Sequence, residues 1–105
     1  MIDARTDVID LASVLPDEGG GWASVEVART LARTFRVRRM RGVTANWHVH
    51  EDADEGFLVL AGVMIVDLAE ECRHLRKGEM TIVPAGIRHR ARVEAEALVL
   101  VFDAL

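Results

Sequence analysis

The residues of this chain best suited to chemistry are three histidines and a glutamate, His48, His50, Glu55 and His89. His48 and His50 are two apart, and a strand through Thr44–His50 sends both imidazoles from one face. The following run, Glu51-Asp52-Ala53-Asp54, is polar and long enough to bend the chain, which turns the Glu55 carboxylate back toward the two rings. His89 comes just after the tight turn Pro84-Ala85-Gly86. If its strand pairs beside or across from the first, its imidazole completes a site of three nitrogens and one carboxylate. Neutral imidazole and carboxylate suit one borderline divalent ion: Fe, Mn, Ni, Zn, Co or Cu. The set contains no thiolate, which argues against a structural zinc knuckle. Four protein ligands on a six-coordinate ion leave two adjacent positions for water, dioxygen or a chelating substrate. Glu55 has a second role open to it as a catalytic base, since a carboxylate ligand can detach and take a proton. Asn46, two before His48, shares its face and reads either as a contact to the bound cofactor or substrate or as a satisfied core amide.

The elements that must position these groups read as strands. Phe35 to Met40 alternates, with Phe35 and Val37 on one face and Arg36 and Arg38 on the other, the latter facing solvent. Arg39 falls on the Phe35 face; pointing inward it would bind a carboxylate or phosphate, and otherwise it serves an interface salt bridge. Short strands are expected at Thr44–His50, Phe57–Leu60, Val63–Leu68, Met80–Val83, His89–Val93 and Leu98–Phe102, separated mostly by Gly, Pro or acidic clusters. Trp22 to Leu31 fits a strand or a helical face, and the alternation of Val25, Glu26 and Val27 favours the strand. Phe57, Val59, Met64, Ile82 and Val83 are core candidates, Arg88, Arg90 and Arg92 face water, and Glu51, Asp52 and Asp54 form a solvated loop. The whole is all-β, closed or folded over so that its sheet edges are protected. Residues 1–21 form an N-terminal arm whose Val8, Ile9, Leu11, Val14 and Leu15 dock on a neighbouring surface before the breaker-rich Pro16-Asp17-Glu18-Gly19-Gly20-Gly21; residues 22–105 form the single domain.

Glycines frame the candidate ligands at regular distances. Gly42 precedes His48-x-His50 and Glu55, Gly62 follows, and Gly78 leads to Pro84-x-Gly86 and His89. These nine positions resemble the two motifs of the cupin family, with the likeness strongest to small single-domain bacterial cupins labelled sugar-phosphate-isomerase-like. The resemblance implies a double-stranded β-helix, the jelly-roll barrel, with one metal inside held by His48, His50, Glu55 and His89. Many relatives end the second motif in Asn where this chain has Val93, and carry a bulkier apolar residue where it has Gly56; that glycine is expected to loosen packing beside the site. The family contains enzymes and plain binding barrels. The function expected is therefore a metal-dependent enzyme of isomerase or oxygenase type on a small polar metabolite, and the alternative is a non-catalytic sensor or binding module.

Composition removes other classes. The 105 residues carry 13 basic against 17 acidic side chains, a formal charge of −4 that repels nucleic acid and anionic membranes. The longest apolar run, Ala97 to Phe102, is far below the ~20 residues needed to span a bilayer. No apolar leader is visible after Met1, so the expected location is cytoplasmic. A single cysteine, Cys72, excludes an internal disulfide, and without a nearby base it is no nucleophile; His74 beside it reads as a surface residue. Apolar sheet edges and the arm suggest pairing into a homodimer.

Overall fold

The computed structural model describes residues 8–15 and 19–104, and within them every regular element is a strand. In chain order these are β1 (Gly21–Arg29), β2 (Arg33–Thr44), β3 (Glu55–Asp67), β4 (Cys72–Arg76), β5 (Met80–Val83) and β6 (Arg90–Ala104). All pairings are antiparallel, in the order β1-β2-β6-β3-β4, with β5 added to β3. β-Branched and apolar residues at alternate positions produce this pattern, since each strand must present one face to the interior. The sheet folds over into the jelly-roll barrel expected of the sequence.

The strands are longer and fewer than the sequence suggests. The expected strands Phe57–Leu60 and Val63–Leu68 are one strand, bent at Gly62, where φ is +78° and the register with β6 shifts on both sides. A bulge absorbs extra residues without ending the pairing, so the glycine curves the strand instead of terminating it. His89–Val93 and Leu98–Phe102 likewise merge into β6, which continues through the exposed Glu94, Ala95 and Glu96. Thr44–His50 is not a strand beyond its first residue. After Thr44 the chain leaves the ladder and is held only at intervals: Ala45 N–H donates to Ala91 O at 2.9 Å, and His48 and His89 exchange two main-chain hydrogen bonds at 2.9 Å each.

The inner face carries the main core: Met40, Phe57, Val59, Met64, Val66, Leu75, Val83, Ala91, Val93, Ala97, Val99 and Val101. Four of the five expected core residues are among them, whereas Ile82 is 39% exposed because it sits on the other face of β5 from Val83. A second cluster, Val27, Ala28 and Val37, lies on the opposite face of the sheet, where Ile9, Leu11, Val14 and Leu15 of the arm cover it together with Phe35, Leu98 and Leu100. Residues 1–7 of the arm, and the Pro16-Asp17-Glu18 part of its turn, lie outside the described residues.

That second cover reverses one expectation. Phe35 and Val37 point outward beneath the arm, so Arg36 and Arg38, on the face of Met40, point into the barrel. Arg39 is buried on the outer face instead of turned to the interior. Alternation separates two faces, and here the apolar one is the outer one because a further layer covers it.

Candidate metal centre

The interior near one end of the barrel gathers the four residues that the sequence singles out. One ligand atom from each of His48, His50, Glu55 and His89 lies within 4.8 Å of the other three. The centre of the group is Glu55 Oε1: His89 Nε2 lies 2.7 Å from it, His48 Nε2 3.3 Å and His50 Nε2 3.4 Å. Glu55 and His89 are buried, while the side chains of His48 and His50 are 37% and 40% exposed. The cluster therefore has a closed wall and an open one.

Local chain geometry explains the convergence. Glu55 opens β3 on the same face as Phe57, whose ring meets that of His89 edge-on at 6.1 Å. His48 and His89 stand opposite each other through their reciprocal main-chain bridge. His50 is fixed through its carbonyl, which accepts the Gly86 N–H at 2.8 Å. Gly86, at φ +81°, supplies the left-handed turn expected of it. Asp54, expected to be merely solvated, fastens that same turn by accepting the Ala85 N–H at 2.8 Å. No periodicity could have revealed that contact, since its partner lies on another loop.

The hydrogen bonds on the far side of the rings decide what the near side can do. His89 Nδ1 is 2.9 Å from Ile87 O, and His48 Nδ1 is 3.2 Å from Asn46 O. A carbonyl only accepts, so Nδ1 carries the hydrogen in both rings and Nε2 is the nitrogen turned to Glu55. In a neutral ring that nitrogen presents a lone pair to a carboxylate oxygen, a pairing that either a shared proton or a cation bound by both groups reconciles. Metal-bound histidines have this arrangement, with the other ring nitrogen donating to a carbonyl. His50 Nε2 is buried and has no hydrogen bond among the described residues, so it too is available as a ligand. Opposite ligands of one ion stand about 4–4.4 Å apart at bond lengths of ~2.0–2.2 Å, so the four groups fit a single ion with small side-chain adjustments. Asn46 is exposed, and its main-chain oxygen holds the His48 ring from the side away from the centre.

At the opposite end of β3 a separate cluster is structural. Asp67, 4% exposed, accepts from Arg90 Nε at 2.8 Å, from Arg92 Nε at 2.9 Å and Nη2 at 3.0 Å, and from the Cys72 thiol at 3.0 Å. The Arg92 hydrogen bonds, followed by those of Cys72 and Arg90, hold the Asp67 carboxyl far below the ordinary carboxylate range. The same aspartate pushes the Cys72 thiol up, away from a reactive thiolate. Arg90 and Arg92 thus turn onto a buried acid where water was expected, and the guanidinium groups of Arg88 and Arg90 stack on Trp47, 5.0 and 4.9 Å from its ring centroid. Gly56 does not loosen its surroundings either: the Phe102 ring fills the place a side chain would take. His74 is exposed, as the sequence suggests.

An antiparallel jelly roll with three histidines and a glutamate gathered inside is the architecture of a cupin. The cupin-2 family, described as "Cupin domain", matches residues 35–103, and the chain belongs to it. Among solved structures, a cupin-2 domain containing protein from Shewanella frigidimarina NCIMB 400 superposes with a TM-score of 0.86, at 24% identity, over 96% of this chain and 98% of that one. The protein TT1209 from Thermus thermophilus superposes with a TM-score of 0.81 at 28% identity, covering 92% and 95% of the two chains. The uncharacterized protein YdbB of Bacillus subtilis (strain 168) is 38% identical over 48 residues, which is 45% of this chain and 42% of that protein. No helix among the described residues is long and apolar enough to cross a membrane.

Proposed function

We infer that the protein is a divalent-metal-dependent enzyme acting on a small polar metabolite, with His48, His50, Glu55 and His89 as the ligands of one ion. The observation that carries this reading is the convergence of three Nε2 atoms on one Glu55 oxygen, with the outer nitrogens of two of those rings committed to carbonyls. An ion bound there supplies Lewis-acid or dioxygen chemistry, which serves isomerisation, oxygenation and hydrolysis alike. His89 and Glu55 form the fixed wall of the site. His48 and His50 are the part-exposed members of the group, and beside His50 lies a cleft of about 340 Å³ bounded also by Glu51, Asp52 and Asp103. Glu55 is the acid side chain nearest the rings, and on this reading it takes a proton from a substrate held at the ion. The exposed Asn46 amide is available to the same substrate. A sugar-phosphate isomerase is one specific activity within this class.

The test is metal analysis of protein purified without added metal, alongside the double variant His48→Ala, His50→Ala. The expected result is near-stoichiometric iron, nickel, manganese, zinc, cobalt or copper in the parent and its loss in a variant that still melts cooperatively. Equal metal content in the folded variant overturns the ligand assignment. Turnover is then assayed against keto acids, diketones, thiols and sugar phosphates. Stabilisation by a compound that is never converted overturns the enzyme reading in favour of a binding module.

A further inference from the structure

Two arginines of β2 project onto the inner face of the barrel, and they are treated differently. Arg36 is paired: its Nη1 donates to Asp103 Oδ1 at 3.2 Å and to Thr34 Oγ1 at 3.3 Å. Arg38 is part-buried, and its Nε is closed off from solvent with no hydrogen-bond partner among the described residues. Apolar side chains flank it along the strand and across to β6. Met40, two along the strand, and Val99, its partner on β6, are fully buried. The guanidinium lies against the Trp22 ring, 4.4 Å from the centroid. Burial pushes the Arg38 guanidinium below its ordinary value, and the Glu55 carboxylate partly restores it, which places this cation within electrostatic reach of the candidate metal centre.

A guanidinium stays charged inside a protein, and burying it without an acceptor is unfavourable. With Nε closed off and the ring packed on one face of the planar fork, the terminal Nη1–Nη2 edge is the one left for a planar acceptor. We propose that Arg38, backed by Trp22, binds the carboxylate of a small organic acid that enters the barrel beside the metal centre. The proposal rests on the metal reading of that centre and names the substrate class for it. A carboxylate fits better than a phosphate on charge grounds. One guanidinium balances one negative charge, and Glu26, Glu55 and Asp103 share the inner face while Glu51 and Asp52 flank the cleft, which opposes a dianion.

The test is calorimetric titration of the whole protein, nickel-loaded and metal-free, with succinate, with succinamide as its neutral counterpart, and with glycerol phosphate. The parent is expected to bind succinate and not succinamide. Arg38→Met is expected to weaken succinate on the order of tenfold or more, the effect of losing a charge-assisted hydrogen bond, with nickel content unchanged and the melting temperature not lowered. Arg38→Lys, which keeps the charge without the fork, is expected to fall between the two and carries the test should Arg38→Met not fold. Equal succinate affinity in parent and folded variants, equal affinity for succinamide, tighter binding of glycerol phosphate, or no succinate binding at millimolar concentration overturns the proposal. Nickel binding together with Arg38-independent succinate binding defeats the anchor alone. Arg38-dependent succinate binding by a parent that takes up no nickel defeats the metal reading alone.

Discussion

Gly62→Ala adds a single methyl group to the strand that carries Glu55, and the structure sets its cost. A Cβ at this position would overlap the Glu96 carbonyl oxygen and stand 2.9 Å from Ala97 Cα. Both are backbone atoms of β6, paired with β3 here, and Ala97 is fully buried in the main core. Neither can rotate away as a side-chain tip could. The left-handed backbone, at φ +78°, costs an alanine about 1–2 kcal/mol, and relieving the overlap adds about 1–3 kcal/mol, for about 2–5 kcal/mol together. In a domain of this size that lowers the melting temperature by about 10–20 °C. Gly86→Ala is the control, because its φ is +81° yet nothing lies within 4 Å of its Cβ. Only the backbone cost of about 1–2 kcal/mol applies there. Melting followed by circular dichroism on metal-free protein separates the two. Equal melting temperatures for the two variants, or a Gly62→Ala protein indistinguishable from the parent, would refute the argument that a backbone collision on β6 dominates.

Two further perturbations test the packing around the site. Asp67→Asn is expected to cost about 1–3 kcal/mol in urea denaturation, since it weakens hydrogen bonds from two arginines to a buried carboxylate. Because the folded-state carboxyl is held low, its contribution is complete above the unfolded carboxylate value of about 4 and falls as pH drops below it; the gap between parent and variant should therefore narrow only in acid, and a gap that widens there would contradict the assignment. Gly56→Ala should drive the Phe102 ring off Phe35, on which it stacks at 6.1 Å between centroids, at a cost of about 1–3 kcal/mol. The same substitution in a Phe102→Leu background should cost less, and strict additivity of the two changes would show that the ring is not the obstacle.

The candidate centre was legible because its ligands lie close to turns. His48-x-His50, Glu55 and His89 are separated by polar loops and by Gly86, and those local signals fix where each side chain goes. The all-β class was equally plain from alternation. What escaped the sequence were features that depend on a remote layer. Arg36 and Arg38 read as solvent-facing until Ile9, Leu11, Val14 and Leu15 are seen covering the opposite face, which makes the arginine side the interior. Arg90 and Arg92 likewise alternate like exposed residues, and only the neighbouring Asp67 on the same outer face of β3 ties them down. The strand count was overestimated for a local reason: a glycine at positive φ bends a strand as readily as it ends one, and Gly62 has the same sequence signature in either case.

The position of β6 bears on how the protein is made. It is hydrogen-bonded to β2 on one side and to β3 on the other, so the sheet stays in two halves until the segment through Ala104 has been synthesised. A nascent chain holding His48, His50 and Glu55 has loose ligands and no vessel around them. His89, immediately before β6, arrives with the strand that joins the halves. Closure is thus a slow, non-local event. A metal at the proposed centre would find its full ligand set only once β6 has closed the sheet.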